Sequence, residues 1–178
     1  MKRIVVAVDP AVTATEASDE HGVIVAGLAT DQRGILLEDG SLSGSPHDWA
    51  KRAVSLYRSW DADCIVVEVN QGGDMVSHTL RTIDPHVKIK EVRASRGKHV
   101  RAEPIAALYE QGRCAHVGAF QALETQMTQM TVNGYEGTGS PDRVDALVWA
   151  FTELFPGMTQ QRGDPGRFYQ NAGGGWRR

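Results

Sequence analysis

The chain has 178 residues, a formal net charge of -3, 41% hydrophobic residues and 23% charged residues. This length is enough for one domain with a substantial core, and the composition is ordinary for a soluble globular protein. The net charge excludes a protein that is basic over its whole surface, so any contact with nucleic acid must come from a local patch. No apolar run approaches the roughly 20 residues of a membrane span, and no signal peptide begins at Met1, which indicates an intracellular protein without a membrane partner.

The first third of the chain predicts an antiparallel meander. Residues 4–9 form a short β-branched run that is typical of a strand covered on both faces. A polar loop over 11–21 follows, and then two further strands over 22–29 and 35–42 that are joined by a short turn. Consecutive strands with short connections favour antiparallel pairing.

From Ser45 onward, helices and strands alternate. Ser45 can cap a helix and Pro46 suits its first turn, so a helix is predicted from here to about Trp60. The apolar spacing then predicts in order a strand, a helix, a strand, a helix, a short edge strand and two helices, over about 64–69, 74–83, 87–92, 101–111, 113–117, 120–130 and 142–155. A glycine-rich loop over 131–139 precedes the last helix.

This order of elements predicts an α/β fold. We expect a mixed five-stranded sheet, with three antiparallel strands followed by parallel strands and with helices on both faces. Residues 1–155 form the predicted domain, and residues 156–178 lack a core pattern and are predicted to be a flexible C-terminal tail. Cys64 and Cys114 are predicted to be buried, reduced thiols, because their spacing matches neither a zinc site nor a disulfide framework.

Two acids occupy the ends of predicted core strands. Asp9 ends the first strand and Glu68 lies near the end of the strand over 64–69. An ionised carboxylate is costly to bury unless a cation or hydrogen-bond donors meet it. If the two strands are parallel neighbours, both acids emerge at the sheet edge where ligands of α/β proteins collect. The alternative for either acid is a solvated strand end or a helix cap.

Two further acids open the last helix. Asp142 lies in its first turn, where the helix dipole favours a negative side chain, and Asp145 follows one turn later on the same face. For Asp145, a capping or salt-bridging role and a metal-binding role stay equally open. Three or four carboxylates without histidine or cysteine suit Mg²⁺ or Mn²⁺. Two such ions about 4 Å apart can activate a water and stabilise the leaving oxygen of a phosphodiester, which is a nuclease mechanism.

Four motifs in this order resemble one known family. They are VVAVDPA around Asp9, IVVEVNQGGD around Glu68, KHVRAEPIAALYEQGRCAHVG from Lys98 and SPDRVDALVWA around Asp142. The family is the C-terminal nuclease domain of the large terminase subunit of tailed bacteriophages and related gene transfer agents, which has a ribonuclease H-like fold. The resemblance implies metal binding by Asp9, Glu68 and Asp142, with Asp145 as a possible helper.

The resemblance also implies a role for Lys98, which matches a lysine recurrent near the family's active site. Lys98 would contact the scissile phosphate or orient water, and a solvated lysine in the cationic segment 93–101 is the alternative. One departure concerns Pro141, which precedes Asp142 where many relatives have paired acids. The metal count and the ligand at this position therefore stay open.

The function implied by the resemblance is metal-dependent cleavage of concatemeric double-stranded DNA during genome packaging in the host cytoplasm. No Gly-x-x-x-x-Gly-Lys-Ser/Thr loop occurs in the chain, so an N-terminal ATPase domain, the portal and the small terminase subunit are expected as partners of the full-length protein. The alternatives are a Holliday-junction resolvase-like nuclease and a catalytically silent docking module. A sugar kinase or actin-like ATPase would need further phosphate-binding loops, which the sequence lacks.

Overall fold

The β-branched run near the start of the chain forms strand β1 (Arg3–Asp9) in the computed structural model, which describes residues 1–11, 20–69, 74–94, 97–131 and 133–159. The other strands are β2 (Glu20–Leu28), β3 (Gly34–Asp39), β4 (Leu42–Ser43), β5 (Cys64–Glu68), β6 (Ile89–Val92), β7 (Cys114–His116), β8 (Met130–Thr131) and β9 (Gly134–Tyr135). The helices are α1 (Pro46–Ser59), α2 (Asp74–Ile83), α3 (Lys98–Glu110), α4 (Gln121–Thr128), α5 (Asp142–Leu154) and α6 (Pro156–Thr159). None of these helices has the length and hydropathy that a membrane span requires.

The main sheet has the strand order β6-β5-β1-β2-β3-β7, with β4 paired to β2. β1, β2 and β3 are antiparallel, whereas β5 is parallel to β1, β6 to β5 and β7 to β3. The predicted α/β class and the mixed sheet are confirmed. The predicted count of five strands is wrong, because this sheet has seven. The strand predicted over 35–42 breaks near Gly40 into β3 and β4, and the short edge strand β7 joins the sheet beside β3.

The two faces of the sheet bury different residues of the same strands. Val5 and Ala7 of β1 belong to a core with α3, α4 and α5, while Val6 and Val8 belong to a core with α1 and α2. This alternation follows from the two-residue period of a strand, and it explains why β1 is apolar at consecutive positions. The prediction of helices on both faces is thereby confirmed.

Helix α5 is the central helix of its face. Eleven of its 13 residues are buried, including Asp142 and Asp145. The sequence predicted one apolar stripe, but α5 lies on β1 and β2 and is flanked by α3 and α4, so nearly every side of the helix is covered. This position carries the two acids of its first turn into the protein interior.

Helix α3 begins earlier than predicted. It starts at Lys98 rather than near Arg101, and Pro104 therefore lies inside the helix instead of in its first turn. Lys98 in the additional turn contacts the carboxylate of Asp145, and Arg101 contacts that of Glu68. Lys98 thus belongs to a helix and not to the cationic loop.

Three further predictions concern the remaining segments. The predicted glycine-rich loop contains a small hairpin of β8 and β9, in which Gly134 adopts a φ of 118° that few other residues tolerate. Cys64 and Cys114 are free and buried as predicted, and burial raises the pKa of Cys114 to about 12. Helix α6 follows the predicted domain end at residue 155, and residues 160–178 of the predicted tail lie outside the described residues.

Candidate active site

Asp9 and Glu68 lie at the same edge of the sheet. β1 and β5 are parallel neighbours in which Val8 is the partner of Val67, so the next residue of each strand is an acid. Both residues are nearly buried, at 9% and 8% exposure. The predicted convergence of these two strand ends is therefore present in the structure.

The first turn of α5 brings two more acids to this edge. Its position over β2 is held by Arg143, whose guanidinium bonds both carboxylate oxygens of Glu20 at the start of β2 and also Asp39 at the end of β3. Asp142 and Asp145 have exposures of 6% and 2%. Pro141 is the N-cap residue and offers no side-chain cap, so the helix entrance is determined by these ion pairs and by packing on β2.

Asp9, Asp142 and Asp145 form a compact oxygen cluster. One carboxylate oxygen of each residue lies within 4.8 Å of the other two, and within the described residues no histidine or cysteine belongs to this group. An oxygen-only donor set of this kind suits hard divalent ions such as Mg²⁺ and Mn²⁺. The residues present therefore fit the metal that the sequence predicts.

The electrostatics of the cluster also favour a cation. Burial and the nearby carboxylate of Asp145 hold the pKa of Asp9 well above its usual range. Burial also raises the pKa of Asp142 and the pKa of Asp145, although the ammonium of Lys98 opposes both shifts. A cation among these oxygens stabilises their ionised forms, because opposite charge offsets the cost of desolvation.

Lys98 supplies positive charge to the cluster from the first turn of α3. Its Nζ contacts the Asp145 carboxylate and lies 4.0 Å from one oxygen of Asp9 and 4.0 Å from one oxygen of Asp142. The ammonium also donates a hydrogen bond to Ser140 Oγ at 3.0 Å. Burial lowers the pKa of Lys98, but the charge and hydrogen bond of Asp145 outweigh it, so the pKa is raised and Lys98 is a cation at neutral pH.

Glu68 has different partners from the other three acids. Its Oε2 accepts hydrogen bonds from Arg101 Nη1 at 3.1 Å and from the Trp149 indole at 2.6 Å. Arg101 Nη2 lies 3.9 Å from Asp145 Oδ1, so the guanidinium connects Glu68 to the cluster. Glu68 is therefore adjacent to the three-oxygen group without being a member of it.

The chain matches the family model of the terminase RNase H-like domain over residues 6–154. It belongs to the terminase RNase H-like domain family. No curated protein matches the sequence of this terminase domain.

Solved structures share the fold of this terminase domain. The large terminase of bacteriophage HK97 superposes with a TM-score of 0.64 and 12% identity over 84% of this chain, which spans 39% of that protein. The yeast mitochondrial Holliday junction resolvase Ydc2 gives a TM-score of 0.54 and 10% identity over 86% of this chain and 78% of that one. RuvC of Thermus thermophilus gives a TM-score of 0.50 and 14% identity over 89% of this chain and 97% of the RuvC chain. These superpositions establish the ribonuclease H-like fold. At such low sequence identity they establish no further property.

Sequence reasoning missed two side chains of the terminase domain's site. Arg101 was visible only as one cation of the segment 93–101, and Trp149 only as part of a motif. A helical spacing signal was available for both, since Arg101 follows Lys98 by three residues and Trp149 follows Asp145 by four. The contact between the α3 face with Lys98 and Arg101 and the α5 face with Asp145 and Trp149 depends on how the two helices cross. The spacing of residues within one helix does not predict that crossing.

Proposed function

We propose that this terminase domain is a metal-dependent endonuclease that cleaves concatemeric double-stranded DNA during genome packaging. The observation that carries the proposal is the cluster of three buried carboxylates at the sheet edge, with one oxygen of each within 4.8 Å of the others. Buried acids with raised pKa values are costly to keep without a functional partner, and such groups concentrate at functional sites. Membership of the terminase family supports phosphodiester hydrolysis as the reaction.

In this proposal Asp9, Asp142 and Asp145 are ligands of Mg²⁺ or Mn²⁺, and Glu68 completes the ligand set together with Asp9. We propose that two ions bind at this site. When bound, such ions lower the pKa of a coordinated water and stabilise charge on the leaving oxygen of a phosphodiester. The protein's own contribution is to hold four carboxylates in fixed positions on two strand ends and one helix turn.

Lys98 is proposed to contact the scissile phosphate. Its side chain is 45% exposed although its ammonium contacts the buried acids, so the group faces both solvent and the cluster. An ammonium group in this place can donate a hydrogen bond to a phosphate oxygen as negative charge develops on that oxygen. Lys98 would thereby orient the DNA backbone over the carboxylates.

The proposed substrate is double-stranded DNA, and the proposed partners are an N-terminal ATPase domain, the portal and the small terminase subunit. The chain spans only 39% of the HK97 large terminase, and the proposed partners would contact parts of a full-length terminase as well as this domain. A net charge of -3 predicts weak DNA binding by the domain alone, because affinity for the duplex follows the number of phosphates met by cations. The host cytoplasm is the proposed location.

Cleavage of supercoiled plasmid in Mn²⁺ tests the proposal. We expect the wild-type chain to nick and linearise the plasmid, EDTA to stop the reaction, and Asp9→Asn to abolish it while the circular dichroism spectrum stays unchanged. Asp31→Asn is the matched control, because Asp31 is an exposed acid that pairs only locally with Arg33. Unchanged cleavage by Asp9→Asn would refute the site.

The second candidate is a nuclease that resolves Holliday junctions, and the fold shared with Ydc2 and RuvC favours it. A four-way junction and a linear duplex of the same sequence, offered in one reaction, separate the two functions. Equal or greater cutting of the duplex supports the packaging nuclease. Selective, symmetric cutting of the junction supports a resolvase.

A further inference from the structure

Glu68 receives both of its observed donors on one oxygen. Arg101 Nη1 and Trp149 Nε1 bind Oε2 at 3.1 and 2.6 Å, and neither engages Oε1. Two donors on one oxygen fix the rotation of the carboxylate about its terminal bond. They also leave the second oxygen outside this pair of bonds.

A second glutamate of this protein, outside the acid cluster, also binds one arginine and one tryptophan and serves as a comparison for Glu68. This residue is Glu38, in which Arg52 bonds Oε1 at 2.9 Å and the Trp60 indole bonds Oε2 at 2.8 Å. Both oxygens of Glu38 are thus used within the protein. This group lies with the α1 face of the sheet, away from the acid cluster.

Arg101 and Trp149 also stack on each other. The guanidinium lies over the indole ring with its central carbon 4.5 Å from the ring centroid, and the Arg101 side chain is only 11% exposed. Stacking of a desolvated guanidinium on tryptophan is a favourable cation–π contact. Trp149 lies one turn after Asp145 on α5, so the stack joins α3 to the helix that carries two of the cluster acids.

We propose that Arg101 and Trp149 are positioning residues that hold Glu68 by Oε2 and present Oε1 to the divalent metal of the active site. This inference rests on the proposed function, because it treats Glu68 as a metal ligand. Neighbours that orient a ligand by hydrogen bonds affect metal affinity and activity by about 10- to 100-fold when they are lost. Trp149 and Arg101 would act on the site in this way through Glu68.

The test compares two matched substitutions in the 178-residue chain. Trp149→Phe removes an indole N–H from Glu68, and Trp60→Phe removes the equivalent bond from Glu38. The readouts are the rise of melting temperature with Mn²⁺ concentration, which reports the apparent Kd, and plasmid cleavage. We expect Trp149→Phe to raise the Kd about 10-fold or more and to lower cleavage. Trp60→Phe is expected to change neither.

A second pair covers the case in which Trp149→Phe fails to fold. Arg101→Lys keeps the charge but loses the planar fork, and Arg52→Lys makes the same change at Glu38. Wild-type Mn²⁺ affinity in Arg101→Lys, or in a folded Trp149→Phe, overturns the positioning role. Asp9→Asn in the same assays separates the two proposals: if it retains Mn²⁺ binding and cleavage, the proposed function itself has failed.

Discussion

The backbone of Gly22 lies directly against the carbonyl group of Asp142. A Cβ atom at Gly22 would be 1.9 Å from the Asp142 oxygen and 3.0 Å from the Cβ of Ala146. Gly22 is also the partner of Asp9 across β1 and β2. A residue without a side chain therefore determines how closely the first turn of α5 approaches the end of β1, and with it the spacing of two acids of the cluster.

Gly22→Ala should damage both the fold and the site. The new methyl group collides with backbone rather than with a flexible side chain, so α5 must shift, and we expect a loss of about 1–3 kcal/mol in the free energy of unfolding. The shift separates Asp142 from Asp9, so Mn²⁺ should stabilise the variant less than the wild type. Urea denaturation with and without Mn²⁺ measures both effects.

Gly118→Ala is the control for this substitution, because nothing lies within 4 Å of a Cβ at Gly118. Its unfolding free energy should stay within about 0.5 kcal/mol of the wild type. A Gly22→Ala variant with wild-type stability and Mn²⁺ response would show that the contact has no such role.

Asp9→Asn should stabilise the metal-free protein, and more so at higher pH. Because the pKa of Asp9 is raised in the folded state, the folded protein holds this proton more tightly than the unfolded chain does. Its contribution to stability is therefore present at acid pH and is lost as the pH rises through the raised pKa. Asparagine cannot ionise and avoids this loss.

Calorimetry in EDTA between pH 5 and pH 8 measures the direction of this pH dependence. The melting temperature of Asp9→Asn minus that of the wild type should grow as the pH increases. Asp31→Asn is the control: hydrogen bonds from Arg33 lower the pKa of Asp31, so this acid titrates below the measured range and its melting-temperature difference should stay nearly constant. A difference for Asp9→Asn that shrinks toward pH 8 would contradict the assigned electrostatics.

Lys98→Met should separate cleavage from metal binding. The Lys98 ammonium lies among the same carboxylates that would bind the metal, so its removal takes away a competing cation as well as a proposed phosphate contact. We expect cleavage to fall roughly 100-fold, as for the loss of one electrostatic stabiliser of a transition state, while the Kd for Mn²⁺ does not rise in parallel. Exposed Lys51 of α1 provides the control, Lys51→Met. Equal losses of cleavage and Mn²⁺ affinity would argue against the phosphate contact.

A chain that ends at Phe155 should have nearly the same melting temperature as the full chain. Phe155 is the last residue of the core described above, and the sequence after it has no core pattern. The comparison chain ends at Thr159 and keeps α6, which lies against α3 and α5. A large loss of thermal stability in the chain ending at Phe155, but not in that ending at Thr159, would move the domain boundary to include α6.

The sequence alone determined the class of the fold and the edge of the sheet where the acids gather. The β-branched runs before Asp9 and Glu68 specify strands buried on both faces, since only a strand covered on both faces is apolar at consecutive positions. Two acids at the ends of such strands, and two more at a helix entrance, are local signals that require no knowledge of packing. The count of strands was less well predicted, because the two-residue strand β4 has no periodicity of its own and the edge strand predicted over 113–117 was not counted as part of the sheet.

Only the tertiary structure decided which acids cluster with one another and which are bound by other side chains. Asp145, left open by the sequence, joins Asp9 and Asp142, whereas Glu68 is bound by Arg101 and Trp149. These pairings depend on the crossing of α3 over α5 and on the approach of α5 to Gly22. Both are set by side chains far apart along the chain, so a spacing rule within one helix cannot reveal them.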